Sequence, residues 1–196
     1  EDDNRMIANV IDALSQFQSP ELVETYLKYI KSTVPRIRAN ALIALLKYPN
    51  QKTFVCKEIE KTLHDKDHVG DQISIFYVIG KNKVSIFKDQ LLNLHKSLAF
   101  DDFKNLDGIS MSYVQTLSWA LLRLQANQGY DSLLQLLQEV SDPQRLKSLL
   151  HFYVQLEDIE KFDCIDYWLM NSNDKIKTQR FLIEIFTVSG FDFSDE

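Results

Sequence analysis

Apolar residues recur at spacings of three and four along almost the whole chain, and no other feature constrains the fold as tightly. Leu22, Tyr26, Leu27 and Ile30 form one such stripe, and Leu91, Leu92, His95 and Leu98 form another. Nowhere does a sustained period-two stretch lie between hairpin turn residues. Only 5 glycines and 4 prolines occur in 196 residues, too few for the many tight turns of a sandwich or barrel. With 45% hydrophobic and 26% charged residues the balance is that of a folded globular chain. No apolar run approaches the roughly 18 residues of a membrane helix, and no signal-peptide pattern opens the chain. The expected fold class is all-α.

Local signals divide the chain into eleven expected helices: 4–17, 20–32, 35–48, 51–64, 68–79, 84–99, 110–127, 130–140, 143–156, 162–171 and 175–188. Ser19-Pro20-Glu21 reads as a helix start, with a serine cap, proline at the first helical position and an acid at the positive end of the dipole. Asp142-Pro143 repeats that signature, and Pro35 opens another run. Gly80, Gly129 and Gly190 each follow an apolar run, where a left-handed C-terminal residue is wanted. Short connections make consecutive helices antiparallel neighbours. The longest gap, Phe100 to Ile109, is a candidate bend.

Self-similarity decides the expected architecture. Residues 5–14, Arg-Met-Ile-Ala-Asn-Val-Ile-Asp-Ala-Leu, align with residues 36–45, Arg-Ile-Arg-Ala-Asn-Ala-Leu-Ile-Ala-Leu, at an offset of 31. A looser third copy fits residues 65–76, one residue further on. A fourth, Met111 to Leu124, places Gln115 where Asn9 and Asn40 fall. These stretches resemble the second-helix signature of HEAT and armadillo-like helical repeats, especially the short bacterial HEAT variety. The resemblance is clearest over 1–80 and only architectural over 81–188.

Arg38 stands at the family's usual arginine position, whereas Ile7 takes that place in the first copy, leaving a continuous Asp–Arg ladder between repeats open. The resemblance implies a right-handed α-solenoid of stacked antiparallel helix pairs over 1–188, with 189–196 a flexible tail or linker. In such a stack each pair buries its apolar face against the next. Asn9 and Asn40 are expected to be structural, each bonding to the preceding repeat, since an unpaired buried amide costs about 1–3 kcal/mol. The chain opens on Glu1 and on a second-type helix, which suggests a segment of a longer protein or a capping helix.

The formal net charge is -6, unevenly spread. Residues 1–98 carry 14 Lys/Arg against 12 Asp/Glu, and residues 99–196 carry 8 against 16. No basic stripe stands out, and the acidic second half would repel a phosphate backbone. Cys56 and Cys164 read as buried thiols of a reducing, cytoplasmic setting.

Catalytic constellations are scarce. His64-Asp65-Lys66-Asp67-His68 offers imidazole and carboxylate donors, but Asp-x-Asp before a helix reads better as capping. His95 and His151 have no nearby acid or thiol in sequence. No nucleophile elbow, phosphate-cradling loop or dinucleotide fingerprint occurs. Glu157-Asp158-Ile159-Glu160 reads as a solvated loop or helix end, and the aromatics Tyr113, Trp119, Phe152, Tyr153, Tyr167, Trp168, Phe181 and Phe186 as core. No enzyme activity, cofactor or metal is expected.

In HEAT-like stacks the second helices line the concave side. The expected surface carries Ala39, Ile43 and Lys47 in the second copy, Ala8, Asp12 and Gln16 in the first, and Asp71, Ile75 and Val78 in the third. Ile43 and Ile75 would form an apolar strip rimmed by Asp12, Lys47 and Asp71, suited to a peptide or helix. The expected function is therefore a non-catalytic scaffold or adaptor holding a protein partner, or a domain of its own parent chain. HEAT-like folds also include DNA glycosylases and chromophore lyases of light-harvesting antennae. Neither family's catalytic residues can be matched here.

Overall fold

The computed structural model describes residues 2–65, 67–98, 107–139, 151–153, 155–172 and 175–188. Among them ten α-helices have defined bounds and no strand occurs. They are α1 Asp2–Leu14, α2 Leu22–Tyr29, α3 Pro35–Leu46, α4 Lys52–His64, α5 Val69–Lys81, α6 Lys88–Lys96, α7 Gly108–Arg123, α8 Asn127–Glu139, α9 Asp158–Asn171 and α10 Lys175–Val188. Single 3-10 turns, Pro49–Gln51 and Ser85–Phe87, lead into α4 and α6. Of the helix expected at 143–156, residues 151–153 are helical. Asp142-Pro143, Gly190 and the expected tail 189–196 lie outside the described residues.

The helices α1, α3, α5 and α7 pack side by side in sequence order, each against the next. Around them α2 packs on α3, α4 on both α3 and α5, α6 on α7, and α8 on α7 and α9. This placement explains why α3 and α7 have little amphipathic character. Neighbours surround α3, so Ile37 and every residue from Ala39 to Leu46 are buried. The same holds for Met111 and for Val114 to Arg123 in α7. Each large apolar side chain so covered contributes about 1.5–3 kcal/mol relative to its exposed state. One apolar cluster runs from Ala8 through Tyr26, Leu45 and Phe76 to Leu121. A second gathers Met111, Trp119, Leu133, Tyr153, Cys164 and Trp168, so α7 serves both.

Helix ends depart from the sequence reading in instructive ways. At α2 the Ser19 side chain makes no cap; its carbonyl accepts the Leu22 N–H at 3.0 Å and the helix begins there. Gly80 and Gly129 are not left-handed caps. A Cβ on Gly80 would sit 2.6 Å from Trp119 Cζ3, and one on Gly129 would sit 2.3 Å from the Leu122 backbone nitrogen. Both glycines permit close helix approach.

Lys83 (φ 49°) and Gln125 (φ 55°) supply the left-handed residues instead. Each closes the same six-residue motif. Val84 N–H donates to Ile79 O at 3.0 Å and Lys83 N–H to Gly80 O at 3.2 Å; Ala126 N–H donates to Leu121 O at 3.0 Å and Gln125 N–H to Leu122 O at 2.8 Å. A left-handed L-residue costs about 1–2 kcal/mol, and glycine's extra unfolded-state freedom costs about 0.5–1 kcal/mol. Gln125→Gly is thus expected to raise stability by about 0.5–1 kcal/mol. A higher urea midpoint at unchanged slope checks it, and a lower midpoint would contradict the left-handed assignment.

Candidate functional site

An open groove of about 440 Å³ runs along one side of the α1–α3–α5–α7 row. Successive helices each contribute to it: Asp12 from α1; Arg36, Ala39 and Asn40 from α3; Ile73, Ser74, Tyr77 and Lys81 from α5; Thr116 from α7. His151, Phe152 and Gln155 close its far end. On α5 the lining residues Ile73, Tyr77 and Lys81 follow one another at four-residue intervals, a single helical stripe.

Aromatic stacking builds the floor. The Tyr77 ring lies 5.4 Å from the Trp119 ring at an interplanar angle of 14°, and Phe152 tilts against the same indole at 5.7 Å. Trp119 is itself buried, and its Nε1 has no hydrogen-bond partner among the described residues. Charges sit on the rim. Lys81 Nζ spans the groove to Asp12 Oδ1 at 3.4 Å, and also lies 5.6 Å from the centre of the Tyr77 ring. Arg36 Nη2 donates to Asn9 Oδ1 at 3.1 Å, and both side chains are exposed. The site thus combines a flat aromatic base, the aliphatic side chains of Ala39 and Ile73 and opposite charges at the rim, a surface for contact.

The expected surface residues divide between this groove and the interior. Asp12 and Ala39 line the groove. Ile43 follows Ala39 by one turn on the same stripe, but it is 2% exposed and belongs to the core. Ile75 is 3% exposed and also core. The apolar strip expected from Ile43 and Ile75 is therefore corrected: neither side chain reaches a surface. The cause on α5 is register. Pro35 and Val69 each open their helix, which matches Ala39 with Ile73, Ile43 with Tyr77 and Lys47 with Lys81. The sequence alignment of the third copy is out by two residues at Asp71 and Ile75 and by three at Val78, which brings these forward in their place. Val78 is buried as well.

Asp71 forms an ion pair with Arg38, whose other guanidinium nitrogen donates to the Ser32 carbonyl. The contact joins α3 to α5 and takes no part in the groove. Lys47 Nζ donates to the Ser15 carbonyl at 2.7 Å, tying the end of α3 to the end of α1. Asn40, buried, donates its amide to the Ala8 carbonyl at 2.8 Å. Asn9 instead lies exposed and accepts from Arg36, in the following helix of the row.

Two further clusters fall away from the groove. Asp65 Oδ1 accepts the Asp67 N–H at 3.1 Å and Oδ2 meets His68 Nδ1 at 3.0 Å, a local turn that holds the Asp65 carboxyl below its usual range. No side-chain bond caps α5. Among the described residues no three His, Cys, Asp or Glu side chains converge in a metal-binding group, and no helix is long and apolar enough to cross a membrane. Burial pushes the Cys56 and Cys164 thiols up, away from thiolate chemistry.

The other cluster, where the sequence of residues 157–160 alone suggests a solvated loop or helix end, is an ion network. Arg123, 8% exposed, pairs with Glu160 and lies 3.4 Å from Glu157, while Lys83 Nζ sits 3.1 Å from both carboxylates. Glu160 also closes a capping box with Glu157 at the start of α9. The Glu160 carboxylate holds the Lys83 amine above its usual value, and Lys83 lowers Glu157.

Compared with known proteins, the chain matches no family model, no curated protein and no solved structure.

Proposed function

We propose that this chain is a non-catalytic interaction module: a right-handed solenoid of stacked antiparallel helix pairs whose concave face holds a protein partner, or a domain of the same parent chain. The observation that carries the reading is the groove itself, open and lined by consecutive helices of the row, with an aromatic floor and a charged rim. Such a mixture suits a peptide or helix that inserts an apolar residue and meets the rim with polar groups. The HEAT-like repeat resemblance supports the same reading, since most such arrays are scaffolds or adaptors. Two free cysteines suit a reducing, cytoplasmic setting. The Asp12 carboxylate beside Lys81 disfavours a nucleic-acid backbone.

The test is capture from lysate of the native host, comparing wild type with an Arg36→Glu/Lys81→Glu double variant. Both positions are exposed, so stability is expected to change by less than about 1 kcal/mol. A protein recovered by wild type is expected to fall at least tenfold with the variant. Equal recovery would remove the groove from the function, and recovery of salt-sensitive nucleic acid would replace the reading.

A further inference from the structure

The groove carries a cation with no acid of its own. Arg36 Nη2 donates to the neutral Asn9 amide, and no carboxylate pairs with it among the described residues. Lys81 does have an acid, Asp12, but the two meet at 3.4 Å with side chains 38% and 47% exposed, a pair weak enough to exchange. A guanidinium with most of its N–H donors unused suits a carboxylate. Beneath these cations the Tyr77 ring lies nearly parallel to Trp119, and Ala39 and Ile73 line the same cavity. An aromatic side chain laid there would meet a flat ring and aliphatic walls. The chemistry that fits is a short acidic peptide bearing an aromatic residue.

This chain contains one. Residues 189–196 read Ser-Gly-Phe-Asp-Phe-Ser-Asp-Glu, with three carboxylates, at Asp192, Asp195 and Glu196, and neither Lys nor Arg. They follow α10, which ends at Val188. From α10 the way to the groove is short. α10 packs on α9, and Trp168 of α9 stacks with Tyr153 at 6.1 Å, next to the Phe152 that closes the groove. Neighbouring helices lie about 8–10 Å apart, so two such steps are matched by the roughly 16–18 Å that the chain spans between Val188 and Phe193 when extended.

We propose that residues 189–196 occupy the groove of their own chain, an inference that rests on the groove reading above. Phe193 lies on the Tyr77 ring, one carboxylate of the segment pairs with Arg36, and another takes Lys81 from Asp12. The contact is a weak self-occlusion that a partner displaces. A short tether holds the segment at a millimolar effective concentration, so an intrinsic Kd of about 1 mM half-fills the groove. Half-filling lowers a partner's apparent affinity only about twofold.

The test uses the full chain with 4-benzoylphenylalanine in place of Phe193, irradiated at about 1 µM, far below the effective concentration of the tether. Mass spectrometry is expected to find an adduct at monomer mass that maps to residues 36–40 or 73–81. Asp192→Lys/Asp195→Lys is expected to cut its yield at least about fivefold, and Arg36→Glu/Lys81→Glu to do the same. Combining the four changes restores opposite charges and is expected to restore the adduct, which a misfolded variant could not do. An adduct outside the groove, an adduct at dimer mass alone, no adduct, or a combined variant that stays uncrosslinked would each overturn self-docking. Partner capture is a separate readout: a partner lost with Arg36→Glu/Lys81→Glu while the adduct maps elsewhere would overturn self-docking and leave the groove reading standing.

Discussion

Ile43→Glu is expected to destabilise the fold by about 4 kcal/mol or more, enough to unfold most of a typical domain's molecules under mild denaturant. Ile43 is 2% exposed at the middle of α3, with α1 on one side and α5 on the other. Losing the buried aliphatic group alone costs about 2–5 kcal/mol. A carboxylate in its place must also be desolvated, or protonated, and the nearest cation along the helix, Lys47 one turn on, is already held by the Ser15 carbonyl. Urea denaturation followed by circular dichroism reads the effect. A melting curve like that of wild type would place Ile43 on a surface and contradict the packing of α3. The contrast with Arg36→Glu on the same helix is informative: two changes seven residues apart on nearly the same face should differ by several kcal/mol, because that face is exposed at Arg36 and covered at Ile43.

Arg123→Ala is expected to cost about 3 kcal/mol through a different mechanism. The guanidinium lies between three helix ends. Its Nε donates to the Gly80 carbonyl in α5 at 3.3 Å, its Nη1 pairs with Glu160 in α9, and its plane lies 5.8 Å from the Trp119 ring in its own helix. Removing it leaves a buried carboxylate that Lys83 alone must balance from a half-exposed position. Breaking a buried pair is costly because of the charge left behind rather than the strength of the bond removed. In a double-mutant cycle with Glu160→Ala the two losses are expected to couple by more than about 1 kcal/mol. Strictly additive losses would mean that the two groups act separately.

The helices themselves were legible because their apolar periodicity is local and strong. Where α3 begins was legible too, since Pro35 fits the first helical turn and nowhere else in a helix. What escaped was whatever depends on residues distant in sequence. Gly80 and Gly129 look like helix caps until Trp119 and Leu122 are seen against them. The Lys83–Glu160–Arg123 network joins three separate segments, so Glu157-Asp158-Ile159-Glu160 alone suggested only solvent. In the groove, Asp12 and Ala39 were within reach of the repeat pattern. Ile73, Tyr77 and Lys81 were not. From Ile73 to Ile79 every residue but Ser74 is apolar, because α5 is enclosed by α3, α4 and α7. A helix covered on so many sides has no polar face by which its exposed stripe can be phased.

The proposed protein partner contacts the groove at the stripe Ile73–Tyr77–Lys81. Site-specific photo-crosslinking tests this contact most directly, with a benzophenone amino acid replacing Tyr77 in one protein and Ile86, exposed outside the groove, in another. After irradiation in lysate of the native host, a discrete protein adduct is expected from position 77 and none from position 86. An adduct from position 86 alone, or from neither, would contradict the assignment of the groove as the binding surface.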